Sequence, residues 1–508
     1  MSHRSRRSRP GRFAANVGSG LPAADAERSR RSFVGRRGGP LLLLALAVVA
    51  YATGFARLSI LIDRAFNTGR FDLGNMIQAV TSTAHGHVLQ VTDVHGHSIS
   101  RLASHFDPIL AAFAPFWRLW PSSGLLLSCQ ATAIALGALP VFWLARKHLC
   151  SESAALAFAG VYLLYPATGW LALNEFHPVA LACPLLLFAF WFLDEDRLLP
   201  FAFFALAATA TKEEVGLEVA AFGIWYLSAR HRRLAGGAIA IIGGLASALA
   251  LYVVIPHFNG AASSFYSRYA DLGGSPARVL LGALTHPLRV FGKAATLRHL
   301  LYLGDLLLPL ALLPLLSSVA LVALPELTLN LLSAADEQTS VRFHYTALEI
   351  PPFLAAAVFG ASRLMALRPH GARRLPVELL AVAAFASYQL GPVLFWNSLP
   401  GAGGNVAKAA TITRHDRAAA EALALVPRTA PVSATNSLGA HLSARARIYS
   451  FPVVRDARWI AVDEKRLSYE DRFATIPAAL ALVQLRRDSM WRIIFERDGI
   501  LVFRHQGR

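Results

Sequence analysis

The sequence predicts an all-α polytopic membrane protein of about eleven transmembrane helices, N-terminus inside, with a small extracytoplasmic α/β domain at its C-terminus. Three observations predict it. The 508 residues are 55% hydrophobic and only 16% charged, against about 25% charged in soluble domains. The apolar residues fall in runs close to the ~20 residues that span a bilayer. After residue 396 the pattern changes from long apolar runs to short alternating ones, bounded by turn residues.

Residues 1–38 hold ten Arg against two acids in a Ser/Arg/Gly/Pro-rich stretch. Such a composition buries no core and reads as a disordered cytoplasmic tail facing anionic headgroups. The net charge of +18 is weighted towards this tail, which suits membrane lipids as partners rather than nucleic acid. Pro40–Ile62 is too long for the apolar region of a cleaved signal peptide and has no clear small-residue cleavage site.

Apolar runs then give candidate spans at 40–62, 122–145, 153–173, 177–193, 198–211, 214–229, 233–255, 299–315, 316–333, 347–367 and 375–396. The positive-inside rule arbitrates their number. With the tail inside, eleven spans place Arg146-Lys147-His148, Asp194 to Arg197, Arg230 to Arg233 and Arg368 to Arg374 in the cytoplasm. Merging 198–229 into one span would export Arg230 to Arg233. The chain thus divides into the tail 1–38, a membrane domain 39–396 with a large first outer loop at 63–121, and an outer domain 397–508. In the outer domain Arg414–Val426 and Ile476–Leu485 read as helices. Val432–Thr435, Arg447–Phe451 and Trp459–Val462 read as strands. Trp491–Phe495 and Ile500–Arg504, joined through Arg497-Asp498-Gly499, read as a closing hairpin. Cys129, Cys150 and Cys183 lie in or beside apolar runs and suggest neither disulfides nor a metal site.

The eleven-span count collects the remaining polar segments on the outer face. The first outer loop carries Asp72 in Phe71-Asp72-Leu73-Gly74-Asn75, then His85, His87, Asp93, His95, His97, His105 and Asp107. Imidazoles and carboxylates suit a divalent metal, but the spacing is irregular, so a solvated loop with one or two useful side chains is the other reading. Phe106 to Trp120 suits a re-entrant or interfacial helix. Asn174-Glu175-Phe176-His177-Pro178 is a short outer turn that pins Glu175 and His177 at the membrane surface, where an ionisable group is costly unless it pairs or works. At the Lys212-Glu213-Glu214 corner, Lys212 either neutralises a neighbouring acid or grips a phosphate. Glu326 and Asn330 share a helical face at i, i+4. Arg342, His344 and Tyr345 suit either an anionic headgroup or an interfacial aromatic–basic belt.

In their order along the chain, Phe71 to Asn75, Ser104-His105-Phe106-Asp107-Pro108, Phe176-His177-Pro178, Lys212-Glu213, Pro325-Glu326 with Asn330, and His344-Tyr345 resemble the bacterial predicted-membrane-protein family called domain of unknown function 2079. The resemblance covers roughly residues 50–500. More distantly, the layout resembles the C superfamily of integral-membrane glycosyltransferases, which use polyprenyl-phosphate sugars. That resemblance implies many spans, a large first outer loop with an early carboxylate acting as base, and a plasma-membrane location. It puts Asp72 where the base belongs, with Glu175 and His177 as catalytic neighbours. Lys212, Glu213, His105, Asp107, Arg342, His344 and Tyr345 become the substrate and phosphate contacts. Asp72 lacks an adjacent acidic partner, so the second carboxylate falls to Asp107, Glu175 or Glu213, and a divalent metal stays open. The alternatives are a transporter or flippase using Glu213, Glu214 and Glu326, and a non-catalytic scaffold whose outer domain binds a partner.

Overall fold

The computed structural model describes residues 23–274, 276–367, 374–393, 399, 402, 406–472 and 477–507. Most of the tail and the 396/397 boundary between membrane and outer domains lie outside the described residues. Among the described residues, four helices are long and apolar enough to cross a membrane: Gly38–Arg64, Ser123–Leu149, Arg233–Asn259 and Ile350–Leu367. A fifth is Glu152–Leu164 with Pro166–Leu173, bent by 50°. Pro166 explains the bend, because its missing N–H and the restraint it places on Tyr165 break the helical ladder; Tyr165 is extended, at φ −60° and ψ 124°.

The other expected spans are shorter apolar helices, Pro178–Asp194, Leu198–Thr209, Val215–Ala229, Ser318–Leu332 and Leu375–Leu390. The expected span at 299–315 is a helix only over Leu297–Leu307. It ends at Ala311 and Leu312, both left-handed at φ 50° and 58°, beside Pro309 and Pro314. By helix length, then, the described residues contain fewer than eleven full crossings. Val215–Ala229 and Arg233–Leu249 form a hairpin that packs backbone to backbone: a Cβ on Gly223 would come 2.4 Å from the Ala240 amide. Small residues permit this approach, and it fixes the Lys212–Glu214 corner at the hairpin's open end.

The segment expected as the first outer loop, residues 63–121, has a fold of its own. One wide π turn, Arg70–Gly74, runs directly into the helix Asn75–Ala84. Strands β1 (Gln90–Thr92) and β2 (Ser98–Ser100) form an antiparallel hairpin. Short turns Pro108–Phe113 and a helix Ala114–Leu119 follow. Leu73, Ile77, Val80, Leu89, Leu110, Trp117, Leu126 and Phe176 make a core beneath the loop, continuous with the bundle.

The C-terminal sheet region, expected as an outer domain, matches the sequence pattern closely. Its strands are β3 (Val432–Ala434), β4 (Ile448–Ser450), β5 (Trp459–Asp463), β6 (Trp491–Arg497) and β7 (Ile500–His505). They form one mixed sheet ordered β4-β3-β5-β7-β6. β3 is parallel to β4 and β5; β7 is antiparallel to β5 and β6. Helices Arg414–Ala424 and Asn436–Leu442 cover one face, and Ala478–Arg487 covers the other. Phe66, just past the first span, enters the first of these cores with Ala418, Leu438 and Val502. The sheet is therefore docked on the outer loop through the loop's own residues.

Candidate functional site

Asp72 sits on the π turn, and its side chain is 52% exposed. A π turn widens the helical ring by one residue and displaces its side chains from the regular rows, a device often found at functional sites. Behind it, the Glu175 carboxylate turns inward and accepts hydrogen bonds from the Gly69 amide (3.0 Å to Oε1) and the Leu73 amide (3.0 Å to Oε2). Glu175 adopts φ +40°, a left-handed conformation unusual for a residue with a side chain. Gln130 holds the same turn: its amide donates to the Glu175 carbonyl and its Oε1 accepts from the His177 amide at 2.9 Å. Burial, then the charge of Asp72, push the Glu175 carboxyl well above the usual range, and the two amides only partly offset this. Both Glu175 carboxyl oxygens are thus engaged by the turn that carries Asp72.

His177 Nε2 lies 3.4 Å from Asp72 Oδ1, and its Nδ1 lies 2.8 Å from the Asn174 carbonyl. Burial tends to raise the Asp72 carboxyl. The hydrogen bond and charge of His177, with Arg101 and His105, outweigh it and hold Asp72 below the ordinary carboxylate value. Asp72 is an ionised carboxylate at neutral pH, open to solvent on one side and backed by an imidazole on the other. The His177 ring stacks on that of His344 with centroids 3.8 Å apart. Asn174 orients both rings, its carbonyl to His177 and its Oδ1 to His344 Nδ1 at 3.1 Å. Burial, then His177 and Lys212, lower His344 well below the ordinary imidazole value, so it stays neutral.

The array continues through Tyr345, whose ring lies 4.3 Å from that of His344. Two cations face that ring, Lys212 with Nζ at 5.5 Å and Arg268 with its guanidinium carbon at 5.6 Å. Asn330 supports the segment from below, donating to the Tyr345 carbonyl at 3.2 Å. Lys212 is ion-paired with Glu214. Burial disfavours its charge, but Glu214, Glu326 and Glu213 raise its pKa by more, and it remains cationic. Arg268 makes a 3.3 Å bond to the neutral Gln338 and packs on Phe265. It is the cation of the pair with no carboxylate among its described partners.

Beside this array, Glu213 accepts from His105 at 2.9 Å and from the Phe106 amide at 3.0 Å, while His105 stacks on Phe265. Burial opposes ionisation of Glu213, yet His105, Lys212 and the amide bring its pKa down to about 2. The pair clasps the outer loop to the helical corner.

Two expected site residues are placed elsewhere. Asp107 is buried at 1% exposure and accepts from Arg101 within the loop at 2.9 Å. Arg342 is exposed and lies over the Trp170 ring. Arg268 instead lies against Tyr345. The sequence signal for Arg268 was an arginine among Phe265, Tyr266 and Tyr269, the usual setting of a cation over aromatic rings. Asn174, inside a motif already noted, is the other residue sequence reasoning passed over. No group of three or more His, Cys, Asp or Glu side chains able to hold a metal gathers among the described residues; His95 and His97 stand at the tip of the β1–β2 hairpin.

None of the curated proteins compared matches the chain. A solved structure, ArnT from Cupriavidus metallidurans in the apo state, aligns with a TM-score of 0.49 and 12% identity over 92% of this chain and 98% of that one, a likeness too distant to carry an argument about chemistry. The model of the predicted membrane protein family DUF2079 matches residues 64–502, the stretch that holds the whole site, and the chain belongs to that family.

Proposed function

We propose that the protein is a membrane glycosyltransferase that moves a sugar from a polyprenyl-phosphate donor to an acceptor hydroxyl at the outer face of the bacterial plasma membrane. One observation carries this reading: an ionised, solvent-open carboxylate and a pair of cations lie at opposite ends of one continuous array, Asp72–His177–His344–Tyr345 with Lys212 and Arg268. A transfer of this kind asks for a base at the acceptor end and positive charge at the leaving-group end. Asp72 accepts the acceptor's hydroxyl proton while that oxygen bonds to the anomeric carbon. The bond from that carbon to the phosphate oxygen breaks, and the electron pair leaves with the lipid phosphate towards Arg268 and Lys212. His177 Nε2, in reach of Asp72, can take the proton on, and as the imidazolium so formed it then steadies the carboxylate.

The reading includes the eleven-span topology with N-terminus inside, in which the shorter helices cross the membrane with tilt or as broken pairs. Single cysteines at 90–98 and 447–456 should then be labelled by an impermeant maleimide from outside, and one at 231 from inside.

The deciding experiment is reconstitution in liposomes with a radiolabelled polyprenyl-phosphate sugar. Covalent transfer that disappears in Asp72→Asn, with expression and insertion intact, supports the enzyme. Unchanged transfer by Asp72→Asn would sink the assignment. Glu218, buried at 1% exposure with both carboxylate oxygens unpartnered among the described residues, favours a second reading, transport, since such a group inside a bundle marks an ion path. Movement of the lipid without covalent change would establish that reading instead.

A further inference from the structure

The turn that carries Asp72 is tied from two sides. From the membrane side, Glu175 takes the Gly69 and Leu73 amides. From the outer domain, Asn436 Oδ1 takes the Phe71 amide at 3.1 Å. The amides on either side of Asp72 are therefore held by different halves of the molecule. The outer domain holds the preceding residue as well. Arg70 is 1% exposed, and its guanidinium donates to Ser450 Oγ at 2.6 Å and the Ile448 carbonyl at 3.1 Å, both on β4, and to the Thr92 carbonyl on β1 at 2.8 Å.

The joint has no slack. A Cβ on Gly69 would come 2.8 Å from Asn436 Nδ2, one on Gly74 would come 2.7 Å from Ser443 Oγ, and one on Gly439 would come 2.9 Å from Arg70 Cβ. Asn436 is itself fixed, its amide donating to Asp471 Oδ1 at 2.7 Å. Full burial of a guanidinium is costly without good partners, and here two of its three partners come from the C-terminal sheet. A purely attached domain would need neither this arginine nor glycines at each point of closest approach.

We propose that Asn436 and Arg70 are positioning residues through which the outer domain sets the place of Asp72, so that the domain is a structural part of the site and not an appendage. The proposal rests on the reading of Asp72 as the base. A displacement of about 1 Å in a reacting group can cost around a hundredfold in rate, and a turn held at only one end has that freedom.

The test uses the full-length protein in lipid nanodiscs, with Asn436→Ala, Asn436→Asp and Arg70→Lys. Two quantities are read: hydrogen–deuterium exchange of the 69–75 amides, and turnover of a polyprenyl-phosphate sugar. In Asn436→Ala, exchange at 69–75 should rise at least tenfold while β3–β7 and the bundle stay protected; kcat should fall about ten- to a hundredfold, with the donor KM nearly unchanged. Asn436→Asp keeps the acceptor for the Phe71 amide, so protection should return. Its added negative charge beside Asp72 should move the acid limb of the pH profile upward, which a merely structural role would not do. Arg70→Lys should show a smaller rise in exchange, since an ammonium cannot reach three carbonyl and hydroxyl partners in one plane. Wild-type exchange and kcat in Asn436→Ala would overturn the proposal, even where Asp72→Asn is inactive. Raised exchange in Asn436→Ala, where the wild-type protein itself turns over no donor, would uphold the anchoring and reject the enzymatic reading of Asp72.

Discussion

Two carboxylate–histidine pairs stand near each other on the outer loop's inner side, and they are built for different ends. Glu213 and His105 are 2.9 Å apart with side chains 9% and 21% exposed, and the Phe106 amide closes the remaining oxygen. Asp72 and His177 are 3.4 Å apart, the histidine buried and the carboxylate half open. Both carboxylate oxygens of the first pair are engaged within the protein. The second keeps a carboxylate oxygen available to whatever arrives from solvent. A tight closed pair stabilises; a loose open pair is free to exchange a proton. Chemically similar pairs are thus separated in role by burial and by how many donors each carboxylate already has.

The largest effect expected from that contrast is on turnover. His177→Asn removes the imidazole at Asp72 and the stacking partner of His344, and should lower transfer about a hundredfold or more, the usual size of a proton-transfer contribution. The acid limb should also move up, because His177 is the principal group holding the Asp72 carboxyl down. Steady-state kinetics over pH checks this. A variant with reduced rate but an unshifted limb would show that His177 acts only by packing.

Next comes stability. Glu213→Gln takes a charged acceptor from both His105 and the Phe106 amide and should cost about 2–3 kcal/mol, with turnover reduced far less than in His177→Asn. The sign with pH follows from the lowered pKa. Its folded value of about 2 lies below the ordinary 4.5, so its stabilisation is present above pH 4.5 and is lost as pH falls towards 2. Melting curves in detergent between pH 6 and 3 should slope down in the wild type and more gently in Glu213→Gln. Equal slopes would remove Glu213 from the account.

How far the sequence announced this arrangement depends on the range of the interaction. In the outer domain, alternation and turn residues placed the strands to within a residue or two, because a hairpin through Asp498-Gly499 is a local matter. The helix Asn436–Leu442 escaped, being seven residues long with no apolar period to betray it. Span lengths were harder. Hydropathy is continuous across 299–333, whereas the break at Ala311 and Leu312 depends on backbone geometry and packing. At the site, short motifs delivered Asp72, His177, Lys212, His344 and Tyr345 together. They failed for Arg342, whose neighbour in sequence faces the site while it does not, and for Arg268, which reaches Tyr345 across 77 positions of sequence.

That exchange of arginines gives the smallest and most discriminating contrast. Arg268 lies against Tyr345 beside Lys212, and Lys212 is already paired with Glu214. Arg342 lies over Trp170 in the open. An anion arriving at Tyr345 meets one cation that must first be shared with a carboxylate and one that need not be. Arg268→Ala should therefore raise the donor KM about tenfold, the worth of one charge-assisted hydrogen bond or slightly less, and change kcat by less than threefold. Arg342→Ala should leave both constants within about twofold, as for most exposed charges. If the two variants behave alike, or if the loss falls on Arg342, the leaving phosphate does not sit at the Tyr345 end, and the array would have to be read in the opposite direction.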